Sequence, residues 1–302
     1  MQRVDYVFPG SVEEAVGMLE DGKAGARIVA GGTDVLPDLR KGRLGPCMLV
    51  DVTRIPGLDR IVVTDEHVEV GAAVTFAALK ASPYLRQHVH ALADAAASVG
   101  AQAIQNAATW VGNIVQAMPA ADGAVVAVAL GAEARVVDAA GAAWRAVETL
   151  FRGPGRSEID PTRQFVTHVR FPRPAGAWGT AWGRIGRRPS LVLPILNCAV
   201  VVGLDAKRAV IDSAAIALGP VAPCPMRACA AEAFLVGQTP GPEVFAHAAE
   251  LARDESNPRD SPMRASRAYR LEVIPPLVSD ALGLAVARAI KSSHELTQIN
   301  TN

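Results

Sequence analysis

Gly31-Gly32-Thr33-Asp34 stands between the apolar run 26–30 and a stretch, 35–41, patterned as a short helix. Paired glycines reach positive φ without a Cβ clash, so consecutive backbone N–H groups can converge and a ligand can approach the main chain. The end of the following helix adds positive partial charge, and Thr33 and Asp34 add side-chain groups. Phosphate is the natural guest of such a loop. A lone Gly pair is equally a tight strand-to-helix turn. A second segment, Thr109-Trp110-Val111-Gly112-Asn113, again sets Gly before a polar residue ahead of an apolar helix, so two loops could grip one diphosphate from two sides. Neither G-x-G-x-x-G nor G-x-x-x-x-G-K-[ST] occurs, which disfavours a Rossmann or P-loop site.

Other chemistries find little support. Cys47, Cys198, Cys224 and Cys229 form no C-x-x-C pair, and the six histidines offer no H-E-x-x-H. His88 and His90 would face opposite sides of a strand. No metal is expected on this chain, and any iron-sulfur cluster belongs on another. Thirty Lys+Arg balance thirty Asp+Glu, so no overall field recruits nucleic acid or an anionic membrane. The N-terminus lacks a signal-peptide core, and the apolar run 191–204 is short and holds Pro194 and Asn197. A cytoplasmic protein with no membrane span is expected.

The elements that must position the loops are legible in outline. Ser11 and Glu14 form a capping box for a helix ending near Gly22. Strands follow at 26–30, 47–55, 61–63 and 68–74, the last two joined by a polar turn at 64–67, and helical patterns at 76–82 and 90–100. Pro119 marks a helix start and Gly131 its end, before a strand at 134–138. Residues 151–176 read as a loop, a strand and a Pro/Gly break at 172–176. Three strands then precede two helical stretches, 227–237 and 275–293, separated by the polar segment 253–266; 292–302 reads as an unpatterned tail. The 302 residues and their 50% hydrophobic content suffice for two or three domains.

VAGGTDVLPDLRKG (29–42) and TWVGNIVQAMPAADGAVVAVALGAEARVV (109–137) resemble the two flavin loops of the FAD-binding medium subunits of the molybdenum hydroxylases, the xanthine dehydrogenase and aerobic carbon monoxide dehydrogenase family. FRGPG, AWGRIGRRPSLVLPILNCAVVV, IALGPVAPCPMRACAAEAFLVG and RASRAYRLEVIPPLVSDAL extend the likeness in order along nearly the whole chain. The resemblance implies an α+β protein: a vanillyl-alcohol-oxidase-type FAD-binding fold over 1–174, with subdomains at about 1–58 and 59–174. A C-terminal domain of a small antiparallel sheet with helices would occupy 175–291. By the same resemblance the first loop, Ile28, Val29, Ala30, Gly31, Gly32, Thr33, Asp34 and Val35, wraps the FAD diphosphate. The second loop contributes Thr109, Gly112 and Asn113, Asp122 is a further contact, Val166 lines the flavin pocket, and Arg184 takes the place of a frequent Lys near the isoalloxazine.

The implied function is electron transfer from [2Fe-2S] clusters on a small partner subunit through FAD to an external acceptor. A molybdopterin-binding large subunit would oxidise the substrate, in a dimer of heterotrimers. No catalytic residue is required of this chain. The alternatives are a self-contained FAD oxidase of the same fold class, for which no His-Tyr or His-Cys pair offers a base, and a flavin-free scaffold. Two departures stand out. Val111 replaces the first Gly of the second loop, where left-handed geometry would cost a β-branched residue roughly 1 to 2 kcal/mol, so negative φ or a remodelled loop is expected. Val192 replaces a frequent Asp, which bears on the hydrogen bonding of Arg187 and Arg188. Without a flavin beside them, Trp182, Arg184, Arg187 and Arg188 would read as a solvated surface, and Asp122 as an acid favoured by a helix dipole.

Overall fold

The computed structural model describes residues 4–22, 25–45, 48–173 and 176–299, with side chains described as far as 291. Cys47, the middle of the expected break at 172–176, and residues 300–302 lie outside the described residues. The chain forms two compact units that interleave along the sequence. One comprises Met1–Ala78, Ala101–Ala117 and Gly131–Arg173; the other comprises Leu79–Gly100, Met118–Leu130 and Pro174–Asn302.

The chain opens with β1 (Asp5–Val7), α1 (Val12–Asp21), β2 (Ala26–Val29), α2 (Val35–Arg40) and β3 (Met48–Asp51). Ser11 Oγ accepts from Glu14 N at 3.1 Å, and the Glu14 carboxylate accepts from Gly10 N at 2.6 Å, so the expected capping box starts α1. β3 runs parallel between β1 and β2. The hairpin β4 (Ile61–Val63) and β5 (His67–Gly71) follows, turned by Thr64, whose N–H and hydroxyl both donate to His67 O.

Six helices come next: α3 (Phe76–Ala81), α4 (Pro83–His88), α5 (His90–Ser98), α6 (Gln102–Gln105), α7 (Trp110–Val115) and α8 (Asp122–Ala129). His88 ends one helix and His90 opens another, so these two lie on no strand. α8 begins at Asp122, later than the expected Pro119: residues 118–121 form a turn, closed by Ala121 N donating to Met118 O at 3.0 Å, before the helix starts. Gly131, at φ 60°, ends it as expected.

β6 (Glu133–Asp138), β7 (Gly141–Ala146), β8 (Phe151–Gly153), β9 (Arg156–Ser157) and β10 (Phe165–Pro172) complete the first unit. Residues 151–157, expected as loop, form the two-stranded β8–β9 hairpin, turned by Gly153 and Gly155 at positive φ. The larger sheet of this unit has the antiparallel order β4-β5-β10-β6-β7.

The second unit is built on β11 (Ala177–Ile185), β12 (Leu196–Leu204), β13 (Ile211–Gly219) and β14 (Met226–Arg227), antiparallel in that order. Three helices follow: α9 (Cys229–Leu235), α10 (Pro242–Asp254) and α11 (Arg267–Ile299). Ala181, Cys198, Val200, Ile216 and Leu218 on one face form a core with Ala248 and Ala252 of α10 and Ile274, Val278, Leu282 and Ala285 of α11. Gly179 is required there, since an added Cβ would lie 2.1 Å from Ala285 O. α5 and α8 pack on the same sheet, and Thr180 Oγ1 accepts from Ala91 N at 2.9 Å.

Three helices replace the two expected. α10 carries Pro at its first position and buries Phe245, Ala248, Ala249 and Ala252 at helical spacing, a pattern masked by charged neighbours. α11 starts well before Pro275, where Ser266 Oγ accepts from Tyr269 N at 3.1 Å, and it contains Pro275 and Pro276 within it. It also runs through 292–299, expected as tail, because extending a formed helix costs far less than nucleating one. Among the described residues Arg267–Lys291 is one helix long and apolar enough to cross a membrane. Its buried residues belong to the core just described.

Candidate functional site

In the first unit, β2 ends at Val29, whose side chain is buried and which can therefore offer a ligand only its main chain; Ile28, in the same strand, is half-buried. Ala30 follows, and Gly32 then takes φ 66°, the left-handed geometry that a Gly pair permits. Its carbonyl accepts from Leu36 N at 3.0 Å and starts α2, which Val35 opens. The N–H groups of Gly31, Gly32, Thr33 and Asp34 donate to no other described residue. Four consecutive donors without a described partner at a strand-to-helix turn are chemically suited to an anion. Asp34 keeps solvent contact and makes no side-chain cap. The protein around its carboxyl and the nearby Asp38 raise its pKa, against the Thr33 hydroxyl.

The second loop meets the first. A Cβ on Gly31 would lie 2.0 Å from Ala107 O, so the absence of a side chain lets the two backbones touch. The segment entering the second loop is anchored by Phe76 N to Ala108 O at 3.0 Å and Trp110 N to Val74 O at 3.3 Å. Thr109 Oγ1 accepts from Gly112 N at 3.1 Å and caps α7, so that hydroxyl is already engaged. Val111 sits in the first turn of α7 with φ outside the positive region, which answers the question its β-branched side chain raises. Trp110 is wholly buried and meets the Phe171 ring edge-on at 6.1 Å. Asn113 lies one turn along α7, its N–H donating to Thr109 O. Val166 lies in β10 opposite Val136, beside a bulge, with its side chain buried.

Asp122 and Arg184 belong to the second unit, and there the structure brings them together. Asp122 opens α8, is 6% exposed, and its Oδ1 accepts from Asn197 Nδ2 at 2.6 Å. Arg184 Nε lies 3.5 Å from Asp122 Oδ2 and has no hydrogen-bond partner, while its Nη2 donates to Val192 O. Ser98 Oγ gives its proton to Ala95 O at 2.8 Å and stands 3.5 Å from Asp122 Oδ2. Burial pushes the Asp122 pKa up to about 6, opposed by the Asn197 hydrogen bond and then by the Arg184 charge.

Asn197 and Ser98 were not singled out from sequence. The available signal was Asn197 itself, a polar residue within the apolar β12 run. With Val192 in that place, Arg187 and Arg188 find backbone acceptors: Arg188 donates to Ser190 O and Leu191 O, and Arg187 donates to Arg264 O at 3.0 Å. Among the described residues no group of His, Cys, Asp and Glu could hold a metal ion.

Residues 2–174 match the family described as FAD binding domain in molybdopterin dehydrogenase, and 184–285 match the CO dehydrogenase flavoprotein C-terminal domain. The chain is 30% identical over 285 residues to the 6-hydroxypseudooxynicotine dehydrogenase complex subunit alpha of Paenarthrobacter nicotinovorans, covering 94% of this chain and 95% of that protein. It is 28% identical over 240 residues to the nicotinate dehydrogenase FAD-subunit of Eubacterium barkeri, covering 78% and 81%. A solved carbon monoxide dehydrogenase from Hydrogenophaga pseudoflava, lacking the Mo-pyranopterin moiety of its molybdenum cofactor, matches with a TM-score of 0.87 at 28% identity, over 95% of this chain and 98% of that one.

Proposed function

The chain belongs to the FAD-binding family of the molybdopterin dehydrogenases and is a flavoprotein subunit of a multi-subunit oxidoreductase, and from that premise we propose its place in the electron path. It takes electrons from [2Fe-2S] clusters on a small partner subunit and delivers them to an external acceptor. A large molybdopterin-binding subunit oxidises the organic substrate, and the complex is a cytoplasmic dimer of heterotrimers. Bound FAD supplies the redox chemistry, and this chain supplies binding and electrostatics.

The observation that carries the reading is the run of free N–H groups at Gly31, Gly32, Thr33 and Asp34. These donors fit an anionic diphosphate and cost no reorganisation on binding. Residues 28–35 with Thr109, Gly112 and Asn113 form the diphosphate grip in this proposal, Thr109 acting through the cap that shapes its loop. Val166, Asp122 and Arg184 are assigned as further contacts by the family likeness alone. The proposed domains are 1–174, for the FAD-binding part, and 175–291.

Comparing FAD with riboflavin tests the grip. Binding through the diphosphate predicts much tighter binding of FAD, and Gly32→Ala should narrow the ratio by distorting the donor run. Equal affinities for the two flavins in the unaltered chain would refute it. For the electron path, the chain alone should not oxidise aldehydes or heterocycles, whereas the complex reconstituted with its partners should. Turnover by the chain alone would overturn that part.

A further inference from the structure

We propose that Arg259, Arg264 and Arg270 form a binding site for a phosphate group where the segment after α10 meets the first turns of α11. The site lies wholly within the second unit and does not depend on the function proposed above.

Hydrogen bonds hold the joining segment, residues 255–266, in shape. Asn257 N donates to Val221 O at 2.9 Å. Ser261 and Ala265 are bridged, and Arg264 N donates to Ser261 O at 3.0 Å, so Arg264 sits in a closed turn. Arg187 Nη2 donates to Arg264 O and holds that turn from another element. Asp260 Oδ1 accepts from Arg267 N at 2.7 Å, which pins the segment to the start of α11, and Arg270 follows within a turn.

Arg270 is 2% exposed, and only part of its donor set is used. Its Nη1 donates to Pro220 O at 2.9 Å, which orients the guanidinium, while its Nε is buried with no partner and its Nη2 donates to no described residue. Nε–H and Nη2–H share one edge of the group, the fork that grips two oxygens of a single oxyanion. A buried cation is ordinarily matched by a carboxylate. Here none of the three arginines makes an ion pair with a described residue, and the Arg259 and Arg264 side chains hold no described hydrogen bond. Burial, then the charges of Arg264 and Arg259, lower the Arg270 pKa against Asp260. Three guanidinium groups against one carboxylate leave an excess of two positive charges. A carboxylate ligand brings one negative charge and a phosphate group about two at neutral pH, so phosphate matches the excess.

The test titrates the full chain calorimetrically with inorganic phosphate, glycerol phosphate and acetate at fixed ionic strength, with chloride as reference, and follows the melting temperature. The variants are Arg259→Gln, Arg264→Gln and their combination, which leave the Arg270 bond to Pro220 in place. Arg270→Lys keeps the charge and loses the fork; if it does not fold, the glutamine variants decide. Phosphate should bind the unaltered chain and raise its melting temperature beyond chloride. Each glutamine variant should weaken binding, the pair by about tenfold or more. Phosphate taken by the Gly31–Asp34 run would be indifferent to these substitutions, so the difference between the chains reads this site alone. The tighter of phosphate and glycerol phosphate tells whether free phosphate or an ester is the natural occupant. Equal phosphate affinity in the unaltered chain and the combined variant would overturn the site. Acetate binding as tightly as phosphate would overturn the phosphate assignment in favour of a carboxylate, such as an acidic side chain of a partner protein.

Discussion

The donor run at Gly31–Asp34 and the Asp122 cluster are polar sites built in opposite ways. The first uses main-chain N–H groups that find no partner among the described residues and stand ready for a ligand. The second uses side chains from α5, α8, β11 and β12 that largely satisfy one another. Backbone donors are positioned by a few neighbouring φ values, so glycine suffices to make them. A buried carboxylate is costly unless several distant residues arrive together, and the raised pKa of Asp122 records a cost only partly offset. The contrast separates a site made by local geometry from one made by packing.

The largest expected effect breaks the first site. Gly31→Ala drives a Cβ into the Ala107 backbone, where neither side can yield by rotating a side chain, and should destabilise the chain by about 3 kcal/mol or more. Urea unfolding measures this; an unchanged midpoint would show that the loops do not touch.

Next comes pH. The folded pKa of Asp122 lies above its unfolded value, so the unfolded chain ionises first and folding stability falls as pH rises from about 4 to about 6. The loss should be about 3 kcal/mol, and Asp122→Asn should remove that part of the pH dependence. Denaturation midpoints at intervals across this window test it, and a slope of the same size in the variant would refute it.

Gly32→Ala should cost less, about 1 to 2 kcal/mol, because its penalty is left-handed strain with only a 3.1 Å approach to Leu36. Comparing it with Gly31→Ala sharpens the distinction between a conformational glycine and a contact glycine. Melting temperatures of the two variants would show it.

Ser98→Ala should be the smallest change. The Ser98 proton is committed to Ala95 O and its contact with Asp122 is long, so the Asp122 carboxyl titration, followed in the infrared, should move by well under one pH unit. A shift as large as that of Asn197→Ala, which removes the donor at 2.6 Å, would make Ser98 an equal partner.

Both Gly loops were legible in sequence because strand, Gly pair and helix are neighbours along the chain. The role of Gly31 was not, since its reason is the Ala107 carbonyl across the fold. Val111 posed a question that the start of α7 settled, and α10 went unread because charged residues diluted its apolar face.

What the sequence determined by itself was the order of most elements, the two loops, and a likeness specific enough to point to a flavoprotein subunit. Those signals are local, or lie in ordered motifs. Only the tertiary structure decided that 79–100 and 118–130 join the second unit, that Arg184 and Asn197 share a row, and that both meet Asp122. The reason is physical: strand register is fixed by pairing between segments far apart in sequence, and it alone determines which side chains face a buried charge.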